Sequence, residues 1–223
     1  MGQAIGQVLP LAIGVSLSPI PIIGVVVMLG TPRARENGPA FLLGWIVGMA
    51  VVGAVVLLVS GGVDVSEDGQ PSHGASVAKL AIGVLLLGVA VKQWRGRPRA
   101  GEEASMPHWM QAVDHFRAPR AAGLGVLLSA VNPKNLLLVV AAATAIAGTG
   151  IPADEQAVAF AIFVVLGTIG PATPVAIFFA MGERSKRLLD ELRAWMAHYN
   201  AAIMAVICLV IAAKLIGDGI GGF

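Results

Sequence analysis

Lys134 is an ionisable side chain placed where water should be scarce. It lies 13 residues after Ala121 and 14 before Gly148, near the middle of an apolar run. An ammonium at the centre of a bilayer costs about 2.5–3.5 kcal/mol on insertion scales, so it must meet an anion, a wet cavity or backbone carbonyls rather than lipid. Two roles follow: Lys134 receives an anionic group of a cargo or exchanges a proton, or it ties down carbonyls released by a broken neighbouring helix. The first is preferred, because an intramembrane ionisable group is by default a functional-site hypothesis. Hydrogen-bonding side chains accompany it: Asn132 and Asn135 in the same run, Ser16 and Ser18 in the first run, and Thr173 in the fifth. Each lies beside a proline, namely Pro19, Pro21, Pro133, Pro171 or Pro174. Proline removes a backbone donor and pushes away the carbonyl four residues earlier. The carbonyls of Val15, Leu17, Ser129, Gly167 and Gly170 should therefore be freed, and in hydrocarbon they need protein or water partners. The expectation is a polar substrate-binding cavity near the midplane, lined by Lys134, Asn132, Asn135, Ser18, Ser16 and Thr173.

The missing residue types narrow the chemistry further. Cys208 is the single cysteine, so an internal disulfide, a dithiol relay and a thiolate cluster are excluded. No Asp or Glu falls inside an apolar run, and His73, His108, His115 and His198 form no ligand spacing. A metal site is not expected, since hard cations want clustered oxygen ligands and softer ones clustered imidazoles. A pair of catalytic carboxylates, a G-x-S-x-G elbow and a phosphate loop are equally absent, so neither an enzyme nor a bound cofactor is expected.

The elements that must carry these residues are membrane helices. With 57% hydrophobic residues, 13% charged and a mean hydropathy of +0.82, the chain has too little polar surface for a water-soluble domain. Apolar runs over 4–30, 39–60, 75–94, 121–148, 156–181 and 197–217 each match the roughly 20 residues a spanning helix needs. The sequence predicts an all-α integral membrane protein of six transmembrane helices, with helices one, four and five broken by proline.

Charge sets the expected orientation. Arg33 and Arg35, then Arg95, Arg97, Arg99, Arg117 and Arg120, then Arg184, Lys186, Arg187 and Arg193 occupy alternate loops. Those loops should be cytoplasmic. The intervening loops carry Asp64, Glu67, Asp68, Asp154 and Glu155, so both termini are expected outside. No basic segment or cleavage site follows Met1, and a signal peptide is not expected. The basic balance, a net charge of +2, lies in these loops, and nucleic-acid binding is not expected. Trp45, Trp94, Trp109 and Trp195 fall near the inner boundary, where an indole buries its ring and hydrates its N–H. Two cytoplasmic stretches, Trp109, Met110, Val113 and Phe116, and Leu188, Leu189, Leu192, Trp195 and Met196, are amphipathic and are expected along the membrane surface.

Placing Pro19 on Pro133 superposes Ser18-Pro19 on Asn132-Pro133. Two copies of three spans, an odd number, must enter the membrane in opposite senses, the inverted-repeat design of many secondary transporters. The single transmembrane domain, 1–223, then divides into repeat one over 1–95, a cytoplasmic linker over 96–120 and repeat two over 121–223. Gly44 and Gly48 form a GxxxG pair, more often used for internal packing than for a dimer seam.

Leu9-Pro10-Leu11 leading into Ser18-Pro19-Ile20-Pro21, then Pro32 to Gly38, Phe41 to Trp45 and Asn132-Pro133-Lys134-Asn135-Leu136 resemble the GAP family. This is the sulfolipid- or glycopeptidolipid-addressing branch of the lysine-exporter (LysE) superfamily, and the likeness runs along essentially the whole chain. It implies a six-helix protein that exports or addresses a glycolipid, or another anionic or polar amphiphile, to the cell envelope. The alternatives are an exporter of amino acids or small metabolites and an accessory subunit of a larger lipid exporter. Membrane lipids and a lipid or small-molecule cargo are the expected partners, with a homo-oligomer or lipid-export machinery as further candidates. A laterally open, partly apolar cavity would favour lipid, and a closed polar one a small solute.

Overall fold

The computed structural model describes residues 1–60, 73–97 and 116–221. Among them the chain is helical throughout, without strands. The helices are α1 (Gly2–Ser16), α2 (Pro19–Leu29), α3 (Ala34–Ser60), α4 (His73–Arg95), α5 (Ala118–Val126), α6 (Pro133–Ala147), α7 (Ala153–Met181) and α8 (Ser185–Ile220). A π-helical turn, Leu127–Val131, extends α5, and a 3₁₀ turn, Gly182–Arg184, separates α7 from α8. The acidic loop residues 64, 67 and 68, together with Arg99, His108, Trp109, Met110, Val113 and His115, lie outside the described residues.

This is a multi-pass membrane protein with three to five candidate spans. Helix α3 is one and α4 is another. The third is the helical stretch Ala153–Ile220, which turns at Gly182 through a backbone with φ +56° that favours glycine. The remaining two are bent pairs. Helices α1 and α2 meet at 48°, and α5 with its π turn meets α6 at 64°. Both bends arise as the prolines dictate: Ser18 and Asn132 take extended backbone (ψ 111° and 118°) immediately before Pro19 and Pro133, which open the next helix at its first position.

The pairwise packing follows a pattern. Helix α1 packs on α7 as α5 packs on α3; α2 packs on α8 as α6 packs on α4. Likewise α2 lies on α7 as α6 lies on α3, while α4 pairs with α8 and α3 with α7. Exceptions are α1 on α6, the larger, and α1 on α8, neither with an equivalent of similar extent made by α5. Glycines permit the closest approaches. A Cβ on Gly44 would overlap the Ala122 carbonyl, and one on Gly48 the Ser129 hydroxyl, so the GxxxG pair is an internal seam between α3 and the α5 segment.

Three expectations are corrected. Helix α7 is unbroken, with Pro171 and Pro174 inside it. Proline is tolerated in a membrane helix when its surroundings accommodate the freed backbone groups; here Thr168 and Thr173 Oγ1 donate to the carbonyls of Val164 and Ile169, each at 2.7 Å, and not to the Gly167 and Gly170 carbonyls that the prolines free. Trp45 is not at a wet boundary. It is fully buried, its ring stacked on Phe41, and its Nε1 has no partner among the described residues. The amphipathic stretch around Leu188–Met196 is not a separate surface helix but the first third of α8, with Met196 packed against Ile22 and Ile23 of α2.

Candidate functional site

The break in the first helix decides where Lys134 goes. In a regular helix the Gly14 carbonyl would accept the Ser18 N–H. Here that N–H turns tighter, to Val15 O at 3.1 Å. The carbonyl that Pro19 would have freed is thereby used, and the orphan moves one residue back, to Gly14. Lys134 Nζ donates to Gly14 O at 2.7 Å. The side chain, 1% exposed, reaches from α6 into α1, across the packing that has no counterpart in the other half.

The second break is resolved by the adjacent residue. The Asn132 N–H turns wider, to Leu127 O at 3.1 Å, which orphans Leu128 O. Asn135 Nδ2 donates to that carbonyl at 2.8 Å. Gly14 and Leu128 occupy the same position relative to Pro19 and Pro133, five residues earlier. Consecutive residues of α6 thus satisfy the equivalent carbonyl of each broken helix. Sequence reasoning identified Lys134 and Asn135 but missed Gly14 and Leu128, because the orphaned carbonyl depends on how the chain turns before each proline.

The other expected site residues are dispersed. Asn132 Oδ1 caps α6 by accepting the Lys134 N–H at 3.2 Å. Ser18, fully buried one turn beyond Gly14, has a hydroxyl without a partner among the described residues, as does Asn135 Oδ1. Ser16 Oγ accepts the Gly170 N–H at 2.9 Å, locking α1 to α7 where a Cβ on Gly170 would overlap the Ser16 carbonyl. Thr173 is exposed on α7 and is not brought to the buried group. The neighbourhood of Gly14 is apolar, with Leu138, Ile207 and Ile211 against it, and Cys208 of α8 is the ionisable neighbour of the Lys134 amine. No His, Cys, Asp and Glu grouping among the described residues could hold a metal ion.

Three concave surfaces among the described residues lie away from Lys134, and α8 lines each of them. A cavity of about 390 Å³ opens where the end of α2 and the start of α3 face the end of α7 and the start of α8, with Arg35, Glu183, Lys186 and Asp190 in its wall. A laterally open groove of about 440 Å³ follows, wholly apolar, lined by Leu17 at the α1–α2 break and by Trp195, Tyr199, Ile203, Val206 and Ile207. A third cavity, about 460 Å³, lies at the far end of α8, with Gln3, Gln7, Lys79, Lys214 and Asp218. Leu189, Met196, Ile203, Ile207, Lys214 and Asp218, one from the first cavity or more from each, recur at seven- and four-residue steps, a single stripe of α8. Neither Lys134 nor the other expected site residues line any of the three. Ile207 is the wall between groove and buried centre, since it also touches the space beside Gly14.

A family model described as Sap, sulfolipid-1-addressing protein, matches residues 8–221, nearly the whole chain. No curated protein matches the chain. No solved structure matches it either.

Proposed function

Since the chain belongs to the sulfolipid-1-addressing protein family, we propose that it moves an anionic lipid, a sulfolipid or a related glycolipid, across the cytoplasmic membrane toward the cell envelope. The observation that carries this reading is the stripe of α8, which borders in turn a charged cavity, an apolar groove open to the side and a basic polar cavity. An amphiphile needs that order of surfaces. Its acyl chains stay in the groove or in lipid while its head passes from one polar end to the other.

The spans are six, counting each bent pair once and α7 and α8 separately. Two arrangements support an inverted repeat: the breaks at equivalent positions before Pro19 and Pro133, and the packing pattern, which outside the contacts of α1 with α6 and α8 is largely preserved when α1–α4 are exchanged with α5–α8. Met1 pairs through its ammonium with Glu155 at 3.2 Å, so the starts of α1 and α7 share an end. Arg35 and Lys186 meet at the opposite end. The positive-inside rule makes that second end cytoplasmic, with both termini outside.

In this arrangement Lys134 is a latch. Its amine holds α6 to the broken α1 at Gly14, one side chain behind the groove wall. An anionic head group that displaced the Gly14 carbonyl would release the two repeats to move, with the Ser18 hydroxyl free to donate to that anion and Asn135 Oδ1 free to accept from a hydroxyl on the same head group. The test is a comparison of envelope lipids and released metabolites between a deletion strain and its parent. The reading expects an anionic glycolipid depleted from the outer envelope and retained at the cytoplasmic membrane. Unchanged lipids with a lost exported amino acid would replace it by the small-solute alternative.

A further inference from the structure

The cavity at the far end of α8 contains a cation that the latch and the groove do not use. Lys79 is 8% exposed and lines the cavity, with no hydrogen-bond or ion-pair partner among the described residues. Its burial follows from the α4–α8 seam, where glycines stand against the opposite helix: a Cβ on Gly83 would crowd Ile216, and one on Gly219 would crowd Leu80. The other charged groups facing the cavity, Lys214 and Asp218, are paired with each other one turn apart. Among the described residues the cavity therefore carries one positive charge in excess. Gln3 and Gln7, one turn apart on α1, add amide donors and acceptors to the opposite wall. Gly217 lines it too, and a Cβ there would point into open space.

We infer that this cavity binds an oxyanion carrying sugar hydroxyls: Lys79 takes the oxyanion and the Gln3 and Gln7 amides take the hydroxyls. Its volume, about 460 Å³, falls within the roughly 300–1,000 Å³ of small-molecule sites. An unpaired ammonium that opens into the cavity beside amides suits an anion carrying hydroxyls better than a neutral lipid, because a hydrogen bond between an ammonium and an oxyanion is charge-assisted while the amides can serve the hydroxyls. The inference rests on the transport reading for its placement at the outer end of the path, where a head group would arrive.

The experiment uses the full chain in lipid nanodiscs and three probes: inorganic sulfate, a sulfated monosaccharide and a sulfated glycolipid. Equilibrium binding should weaken at least tenfold with Lys79→Gln, which removes a charge and not a packing surface. It should weaken similarly with Gly217→Leu, which fills the cavity and leaves Lys79 in place. Lys92→Gln, at the other end of α4, should change nothing. Tighter binding of the glycolipid than of the free sugar makes the ligand a lipid head group, and binding of the sugar alone makes it a soluble anion; both support the site. Sulfate held as tightly as the sulfated sugar would overturn the role of Gln3 and Gln7. Binding unaltered by both Lys79→Gln and Gly217→Leu in folded protein would overturn the inference. Lipid movement measured in parallel separates the two readings: movement by the wild type without Lys79-dependent binding defeats only the inference. Lys79-dependent binding without any lipid movement defeats only the transport reading.

Discussion

At the residue scale, the adjacent pair Lys134 and Asn135 makes two separable predictions. Both satisfy an orphaned carbonyl, but only Lys134 brings a charge with it. Losing a partner to a buried carbonyl costs about 1–3 kcal/mol, whereas removing the intramembrane ammonium returns about 2.5–3.5 kcal/mol. Lys134→Met should therefore unfold no more readily than the parent in detergent, while Asn135→Leu, with no charge to relieve, should be less stable by about 1–3 kcal/mol. If Lys134→Met is instead the more damaging of the two, the balance of charge and carbonyl is wrong. In transport, Lys134→Met should slow lipid movement at least tenfold, and an unchanged rate would remove the latch. The sequence made Lys134 conspicuous because a charge in an apolar run has few lawful environments. It left two roles open, because the Gly14 carbonyl becomes an acceptor only after Ser18 has turned to Val15.

At the element scale, the breaks at Pro19 and Pro133 were legible and the one expected at Pro171 and Pro174 was not made. The difference is the residue that precedes the proline. Ser18 and Asn132 both take extended backbone, with Asn132 capping the next helix through its side chain. In α7 the positions before Pro171 and Pro174 stay helical, with the Ser16 hydroxyl holding the Gly170 N–H. Hydropathy could not reveal the burial of Trp45 either, since an apolar helix carries no polar stripe to mark which face meets protein. The glycine seams predict a ranking. Gly125→Val, set against the Phe41 carbonyl, and Gly170→Val, set against the Ser16 carbonyl, should each destabilise strongly. Overpacking costs typically about 1–3 kcal/mol, and backbone neighbours yield less than side chains. Gly88→Val and Gly123→Val, with nothing near the added atom, should cost far less. Thermal unfolding of the four variants checks the order, and equal losses would contradict the packing.

At the scale of the whole molecule, the multi-pass helical character followed from composition and from the length of the apolar runs. The path along α8 did not, because it is made by three helix junctions far apart in the chain. Helix α8, at 36 residues and about 1.5 Å per residue, is about 54 Å long and outreaches the roughly 30 Å hydrocarbon core, so its cavities can open at both membrane surfaces. Single cysteines at positions 154 and 186, in a background with Cys208 replaced, should label from outside and inside respectively; the reverse pattern would invert the proposed orientation. The most direct measurement of the central claim uses purified protein in vesicles carrying a fluorescent sulfated glycolipid on one leaflet. The parent protein should carry the lipid to the other leaflet, and Ile203→Glu, which puts a charge into the apolar groove without touching either polar end, should reduce that movement at least tenfold. Equal movement by parent, variant and protein-free vesicles would contradict the account.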